Sequence, residues 1–378
     1  MNVYFDNAAS TKVRDEAIES MLRVMRENFG NPSSMHICGR QAKAELEGAR
    51  TSIADILEAN PDNIYFTSGG TEANNWAIFG AANTLFRKGK HIITSSIEHS
   101  AVLDPINRLK SNGWEVTFLQ PDSSGRIPAE AFSEALRGDT VFASIMLVNN
   151  ETGAVNPIRD YFIEIKRRGL GTVLHTDAIQ GFNKIPFSVR LLGADLISIS
   201  SHKIHGPKGV GALYIKDRVK LNPLILGGSH EKGIRGGTEP LPAAVGFGTA
   251  AVLGSEELKD TASTVRDLRD YTTELLKAEI PEVVFIGEGD SPFILCISLP
   301  GFKSEVLMNF LDGEGICVSR SAACKKGARS RTLEAMRLKN DVIDGSLRVS
   351  FSRYSTRDEA DYFVRMLKRA HETLHKAL

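Results

Sequence analysis

The sequence lacks the features that mark several classes of protein. Basic and acidic residues are equal in number, 46 of each, so no overall charge favours nucleic acid or an anionic membrane surface. No stretch is apolar enough to span a bilayer, and the opening MNVYFDNAASTKVRDEAIE has no basic segment followed by an apolar run. We therefore expect a cytoplasmic protein that binds neither nucleic acid nor membrane, with any anion site confined to one place.

Cysteine is scarce, and its spacing shows no metal or disulfide pattern. The four cysteines form no CxxC pair, which is typical of reduced thiols inside a cell and argues against a structural zinc site. Cys38, Cys296 and Cys317 are expected to be buried small apolar residues, as in the run FILCISL around Cys296. Cys324 differs, because SRSAACKKGARSR is small, basic and polar and predicts an exposed loop.

Short apolar runs alternate with amphipathic stretches of helical spacing. The strand-like runs are 63–67, 91–95, 115–119, 141–147, 172–175 and 195–200, and the helix-like segments include 72–87, 102–112 and 158–168. This alternation predicts an α/β fold in which a mostly parallel sheet is covered by helices on both faces.

A second pattern follows a long helical region at 240–278. Strand-like runs at 283–286, 293–299 and 346–351, with a helix between them and a terminal helix from Thr356, predict a smaller α+β domain. The first residues of the chain are expected to return to this domain. We therefore place a large domain at 15–255 and a small domain at 1–14 plus 256–378.

One glycine-rich segment is a candidate anion site. In FTSGGTEANNWAIFG an apolar strand leads through Gly69 and Gly70 into a helix that begins near Thr71. Glycines let backbone amides approach an oxyanion, and the start of a helix favours phosphate. The spacing is not that of a nucleotide P-loop. Taken alone, the segment is equally typical of an ordinary glycine turn with a helix cap.

Two further segments change the balance. In LHTDAIQG, Asp177 follows an apolar strand at the place where open α/β sheets bind ligands, although a lone acid there could simply cap a helix. In DLISISSHKIHGPKGVGALYI, Lys203 follows another apolar strand, and burial would lower the pKa of its amine as a Schiff-base lysine requires. An amine, an acid and a phosphate cradle are what pyridoxal 5′-phosphate (PLP) needs from a protein.

The chain resembles the fold-type I PLP enzymes of the class V aminotransferase family, and specifically the group I cysteine desulfurases of the NifS/IscS type. The segments that carry the resemblance occur in the family's order along nearly the whole chain. They are YFDNAAST, GNPSSMH, TSGGTEANN, EHSAVL, VNNETG, HTDAIQ, SSHKIHGPKG, GGSHEKGIRGGTEP and RVSFSRYST. The resemblance implies the aspartate aminotransferase-like fold and PLP as the cofactor.

The resemblance also implies a role for each matching residue. Lys203 would form the Schiff base with PLP, Asp177 would pair with the pyridinium nitrogen, and Gln180 would hydrogen-bond the phenolic oxygen. The phosphate would be held at Gly70, Thr71, Ser200 and His202, and by Thr238 of the neighbouring subunit of a homodimer. His99 would stack on the ring and move protons, while Asn150 and Arg348 would bind the substrate carboxylate.

Cys324 falls on the catalytic cysteine of these desulfurases. L-Cysteine would be converted to L-alanine, and the sulfur would pass through a persulfide on Cys324 to an acceptor or iron-sulfur scaffold protein. Arg320, Lys325 and Lys326 could favour the thiolate, which is the nucleophile. The two lysines depart from the family's usual small residues, and a solvated basic loop with an incidental cysteine is the alternative interpretation.

Two other functions stay open. Another PLP enzyme of the same fold, such as a selenocysteine lyase, a cysteine sulfinate desulfinase or an aminotransferase, would keep Lys203 but not need Cys324. A non-catalytic homologue that carries sulfur or binds partners is the second alternative, and an intact pair of Lys203 and Asp177 argues against it.

Overall fold

The computed structural model describes residues 2–321 and 329–376. The strands are β1 Val3–Tyr4, β2 Ile64–Thr67, β3 His91–Ser95, β4 Glu115–Leu119, β5 Thr140–Ser144, β6 Val173–Asp177, β7 Leu196–Ser200, β8 Gly211–Ile215, β9 Val284–Ile286, β10 Ile294–Ser298, β11 Ile316–Cys317, β12 Ser319–Arg320 and β13 Ser346–Ser350. The helices are α1 Asp15–Glu27, α2 Ile37–Leu57, α3 Gly70–Leu85, α4 Ser100–Ser111, α5 Ala129–Ala135, α6 Ile158–Arg167, α7 Val189–Leu192, α8 Leu241–Glu256, α9 Leu258–Glu279, α10 Ser304–Gly313, α11 Arg331–Ala335, α12 Asn340–Asp344 and α13 Arg357–Thr373.

The main sheet has the order β2-β8-β7-β6-β5-β3-β4 in the described part of the chain. All its neighbouring strands are parallel except β8, which runs antiparallel to β2 and to β7. The predicted mostly parallel α/β sheet is therefore confirmed. Because β6 and β7 are parallel neighbours, their carboxyl ends lie side by side at one edge of the sheet.

Alternate side chains of the central strands enter two different apolar layers. Ile93 of β3 and Ile197 of β7 pack in the layer that contains α2 and α8. Their chain neighbours Ile92 and Leu196 pack in the opposite layer, which contains α3 and α4. Burial on both faces explains why these strands are continuous apolar runs rather than alternating ones.

A second sheet has the order β12-β13-β10-β9 and is antiparallel. Its apolar cluster also contains Val3, Phe5 and Ala8 from the start of the chain, together with residues of α9 and α13. The backbone of Phe5 is bonded to Ser350 at the end of β13. The proposed boundaries at 15–255 and at 1–14 plus 256–378 stay a prediction.

Two elements differ from their predicted extents by more than a shift of one or two residues at an end. Strand β5 ends at Ser144 rather than at 147, although the backbone amides of Ile145 and Leu147 still bond to β6. The helical region at 240–278 is two helices that meet at Glu257, whose carboxylate pairs with Arg14 and Arg353. No helix in the described ranges is both long and apolar enough to cross a membrane.

Candidate active site

Three chain segments converge at the carboxyl ends of β6 and β7. Asp177 is the last residue of β6, Ser200 is the last residue of β7, and α3 begins at Gly70. The Asn74 side chain on α3 donates to Asp177 Oδ2 at 2.7 Å. A Cβ added at Gly70 would overlap the end of the Ile179 side chain and lie 3.5 Å from Ser200 Cβ, so the start of α3 closely approaches the segments that follow β6 and β7.

The start of α3 has the properties of an anion site. Gly69 precedes the helix with φ 148° and ψ −179°, a conformation almost restricted to glycine. Because glycine has no side chain, no side chain caps the first N–H groups of α3. The buried hydroxyl of Ser200 has no hydrogen-bond partner among the described residues. Thr71 is exposed in the first turn. The helix N-terminus and an unpaired hydroxyl thus present donors to the same edge.

His202 lies in the short turn that follows β7. Its Nδ1 is 3.3 Å from Ser10 Oγ. Burial, together with smaller contributions from the charges of Lys203 and Lys208, lowers the pKa of the ring to about 4. The imidazole is therefore neutral at pH 7 and can donate one hydrogen bond without adding a charge.

Asp177 is buried and held by two donors. Its Oδ2 accepts from Asn74, and its Oδ1 accepts from the backbone N–H of Ile179 at 3.0 Å. Burial raises the pKa of the carboxyl, while His99, the two hydrogen-bond donors and Lys203 oppose that rise. A buried carboxyl of this kind favours a cationic partner such as a protonated ring nitrogen.

Lys203 ends the short turn 201–203 with its amine between two backbone carbonyls. Its Nζ donates to Ala8 O and to Ala9 O, each at 2.7 Å. Burial and the charge of Arg348 lower the pKa of the amine to about 8, and Asp6 partly offsets this effect. An amine with this pKa is partly neutral at pH 7 and can act as a nucleophile.

His99 caps the first turn of α4. Its Nδ1 accepts from the backbone N–H of Ala101 at 3.1 Å. The pKa of His99 is lowered, chiefly by burial and then by Lys203, although the residue keeps an exposed edge. Because Nδ1 is occupied as an acceptor, a neutral His99 carries its proton on Nε2, which is the atom left to exchange protons.

Gln180 is buried behind Lys203. Its Nε2 donates to Ala8 O at 2.8 Å, the same carbonyl that Lys203 contacts. Its Oε1 accepts from Lys184 Nζ at 2.9 Å. Lys184 was not among the predicted site residues, although it stands only four residues after Gln180 and a lysine in an otherwise apolar turn was a usable signal.

Arg348 lies at the centre of β13 and joins the second sheet to the site. It is 2% exposed, and it donates from Nη1 to the backbone oxygen of Asn150 and from Nη2 to Asp6 Oδ1, both at 2.9 Å. Its Nε has no partner among the described residues. Arg348 and Asn150 are thus adjacent, but Arg348 contacts the backbone of Asn150 rather than its side chain. The Nη2 atom of the guanidinium is already bonded to Asp6.

Asp6 and Asn74 are site residues that the sequence analysis missed. Asp6 stands in YFDNAAST and Asn74 in TSGGTEANN, so both lie inside segments that carry the family resemblance. Each makes its contact with a predicted residue more than 100 positions away along the chain, Arg348 for Asp6 and Asp177 for Asn74. No local pattern in the sequence encodes such a pairing.

Thr238 is exposed and follows a segment that is anchored to α3. Arg235 makes a bidentate ion pair with Glu72, with donor to acceptor distances of 2.8 and 3.0 Å. Glu72 also accepts from the backbone of Ser68. These contacts fix the stretch before Thr238, and the contribution of Thr238 to a neighbouring subunit stays a prediction.

Cys324, Lys325 and Lys326 lie outside the described residues. On one side of them, Arg320 pairs with Glu305 at 2.7 Å, so this guanidinium has an acidic partner of its own. On the other side, Glu151 accepts from the hydroxyls of Ser330 and Thr332.

The expected burial of the other cysteines is only partly right. Cys296 is buried in β10, and burial raises the pKa of its thiol to about 12. Cys38 and Cys317 are exposed, so the prediction was wrong for both. Cys38 is the second residue of α2, and Cys317 lies in a two-residue strand that pairs only with β1 among the described strands. At neither position is the side chain surrounded by protein on all sides.

Known proteins resemble this chain over nearly its whole length. The family model for aminotransferase class-V matches residues 3–363. A cysteine desulfurase IscS of Dictyoglomus turgidum is 41% identical over 376 residues, covering 98% of this chain and 95% of that protein. A cysteine desulfurase IscS of Methanosarcina thermophila is 42% identical over 364 residues, covering 95% of this chain and 89% of that protein.

Solved structures show the same fold. A NifS-like protein superimposes with a TM-score of 0.94 at 37% identity, covering 99% of this chain and 100% of that one. A structure of SspA in complex with cysteine has a TM-score of 0.81 at 35% identity, covering 94% of this chain and 100% of that one. The chain therefore belongs to the class-V aminotransferase family and, within it, to the cysteine desulfurases.

Proposed function

We propose that this protein is a PLP-dependent cysteine desulfurase that converts L-cysteine to L-alanine and takes the sulfur onto Cys324. The observation that carries the proposal is the Lys203 amine, which burial and Arg348 hold at a pKa of about 8 beside the buried carboxyl of Asp177. The relatives named above are cysteine desulfurases, and SspA has been solved with cysteine.

The residues at the site fit the groups of PLP. The uncapped start of α3 and the unpaired hydroxyl of Ser200 suit a phosphate, Asp177 suits a protonated ring nitrogen, and Lys203 suits the aldehyde carbon. Gln180 would donate to the phenolic oxygen, and His99 would lie against the ring. When bound, PLP supplies an electron sink for the α-carbon of an amino acid.

The side chains of this protein would then divide the remaining work. Arg348 and Asn150 would hold the substrate carboxylate, and the unpaired Nε of Arg348 is one donor available for it. Neutral Lys203 would take the α-proton, and Nε2–H of His99, whose Nδ1 already accepts from Ala101, would be the group that donates a proton later. The carboxylate of Asp177 would keep the ring nitrogen protonated and so maintain the electron sink.

Sulfur transfer would use the thiolate of Cys324. The thiolate attacks the sulfur of the substrate, a sulfur–sulfur bond forms, and the carbon–sulfur bond of the substrate breaks with its electron pair remaining on the carbon side. Protonation of that carbon gives L-alanine, and Cys324 is left as a persulfide. Lys325 and Lys326 would favour the thiolate, and the persulfide would then pass sulfur to an acceptor or iron-sulfur scaffold protein.

We also propose that the protein works as a homodimer. Phe29, Met35 and Leu226 are 77%, 91% and 82% exposed, which is unusual for large apolar side chains and supports a subunit contact. Exposed Thr238 would reach the phosphate in the partner's site. Sedimentation equilibrium would test the assembly, and a monomer at micromolar concentration would contradict it.

The decisive experiment measures products and persulfide together. Wild-type protein loaded with PLP should release alanine from L-cysteine, and mass spectrometry should find one extra sulfur on the Cys324 peptide. Cys324→Ser should bind L-cysteine but lose at least about 100-fold of the sulfur transfer, because a hydroxyl is a far poorer nucleophile. Cys317→Ser is the matched control, since it removes an exposed thiol that the proposal does not use.

Two results would refute this assignment. Wild-type rates in Cys324→Ser would make the cysteine incidental and favour another PLP enzyme, such as a selenocysteine lyase or a cysteine sulfinate desulfinase. Failure of the wild type to bind PLP would favour a non-catalytic homologue.

A further inference from the structure

Lys184 is a buried amine that the proposed chemistry does not use. It lies in the turn after β6, it is 6% exposed, and the ring centre of Phe293 is 6.0 Å from its Nζ. Its Nζ donates to Gln180 Oε1 at 2.9 Å, and this is its one hydrogen bond in the part of the chain that the structure describes. A buried lysine is costly unless its amine makes a specific contact.

The contacts of Gln180 leave one orientation for its side-chain amide. Burial lowers the pKa of Lys184 to about 7, and its amine can donate to the amide carbonyl oxygen in either protonation state. A backbone carbonyl can only accept, so the atom that faces Ala8 O at 2.8 Å must be the NH2 group. The two contacts agree, and they direct the NH2 group to the carbonyl that also binds Lys203.

One hydrogen of this NH2 group has no acceptor among the described residues, where Ala8 O is the only partner of Nε2. Gln180 is 5% exposed, so water does not readily supply that acceptor. A donor left over at this point is what an anionic oxygen of a bound cofactor would use.

We infer that Lys184 is a positioning residue that locks the Gln180 amide with its NH2 group directed to the Lys203 side of the site. This inference rests on the proposed function, because the acceptor of that NH2 group is the phenolic oxygen of PLP. Without Lys184, Gln180 Oε1 becomes a buried acceptor with no donor, and the amide turns or moves to satisfy it.

The test compares PLP binding in Lys184→Met and wild type. Methionine has a similar volume but no donor, so we expect a roughly five- to tenfold higher Kd for PLP. The pKa of the cofactor's visible absorption band should rise by up to about one unit, because a donor to the phenolate is lost. Lys166→Met is the matched control, since it removes an exposed lysine on α6, outside the site, and should change neither value.

Two further variants separate positioning from charge and from folding. Lys184→Arg keeps a donor, and a pocket of about 30 Å³ lined by Lys184 and Lys203 offers room for the larger head group. It should restore the wild-type band. In a Gln180→Met background, Lys184→Met should cause no further shift, because Lys184 acts through Gln180.

The outcomes distinguish this inference from the proposed function. A wild-type Kd and band pKa in Lys184→Met, or an equal shift with and without Gln180, would overturn the positioning role while the desulfurase assignment stands. Absence of a lysine-linked PLP band in wild type would overturn both.

Discussion

Replacing Arg348 with alanine should slow the attachment of PLP to Lys203 at neutral pH. Attachment needs the neutral amine, and the structure lowers the pKa of Lys203 from 10.5 to about 8 through burial and the charge of Arg348. Asp6 opposes this effect, yet in the wild type its carboxylate is paired with the same guanidinium. Arg348→Ala therefore removes a cation and releases an anion near Lys203.

The size of the effect follows from the fraction of neutral amine. At pH 7, a lysine of pKa about 8 is about 9% neutral, whereas one of pKa 10.5 is about 0.03% neutral, a difference of about 300-fold. A close charge shifts a pKa by about one to three units, and Arg348 is the largest cause of the lowered pKa of Lys203 after burial. We therefore expect Arg348→Ala to slow attachment about tenfold or more at pH 7 and to have little effect at pH 11.

The assay follows the visible absorption of PLP after mixing with apo-protein between pH 6 and 11, with borohydride trapping to identify the linked lysine. Wild type should show a midpoint near pH 8, and Arg348→Ala a midpoint at least about one unit higher. Adding Asp6→Asn to Arg348→Ala should move the midpoint back down. Arg353→Ala is a suitable control, because that arginine pairs with Glu257 instead.

A midpoint near pH 10 in the wild type would refute the claim that burial and Arg348 activate the amine. Equal midpoints in wild type and Arg348→Ala would refute the role of Arg348 alone. Trapping of PLP on a lysine other than Lys203 would remove Lys203 from the proposal.

Two predictions concern stability. The ring of His175, between the hydroxyls of Ser144 and Ser198, is kept neutral because burial lowers its pKa from 6.5 to about 3. Below pH 6.5 the His175 ring binds a proton in the unfolded chain but not in the folded one, so the free energy of unfolding falls as the pH falls. In urea unfolding of the apo-protein, His175→Gln should reduce this loss between pH 7 and 5 by about 2 kcal/mol. An unchanged dependence of the free energy of unfolding on pH would contradict this prediction. Arg50 and Glu231 form a buried ion pair at 2.7 Å, so Glu231→Ala should lower the free energy of unfolding by about 3–5 kcal/mol. The double variant Arg50→Met with Glu231→Leu should recover most of that loss, and an additive loss in the double variant would count against the pair.

Much of the fold was predictable because burial leaves a direct trace in sequence. Strands β3 and β4 have the predicted bounds, since each is an apolar run between polar turns. The antiparallel direction of β8 was not predictable, because a glycine-rich turn before a short apolar run is compatible with either direction. The exposure of Cys38 was missed for a related reason, since position in a helix does not by itself say which face meets protein.

The candidate site was predictable as a set of residues but not as a set of contacts. Asp177 and Lys203 were singled out because each follows an apolar strand, where open α/β sheets bind ligands, and Ser200 was identified through the family resemblance. The partners that set their properties come from elsewhere in the chain, such as Asp6 and Asn74. Their contributions depend on distances and burial, which no spacing within a motif defines.

The first nine or so residues connect these groups in a way that no single motif indicates. The carbonyls of Ala8 and Ala9 hold Lys203, and the carbonyl of Ala8 also holds Gln180. Asp6, two residues earlier, pairs with Arg348 and accepts from Ser319 Oγ at 2.8 Å.

This short segment therefore bonds both to the turn that carries the candidate cofactor lysine and to the strand that carries the candidate carboxylate-binding arginine. The amide of Ala8 completes the link by donating to Ser350 Oγ at 2.9 Å. A shift of its backbone would move the acceptors of Lys203 and the partner of Arg348 together, because Asp6 and Ala8 are only two residues apart. The first residues of the chain therefore fix the positions of the Lys203 amine and the Arg348 guanidinium relative to each other. This placement is what lets the charge of Arg348 lower the pKa of Lys203.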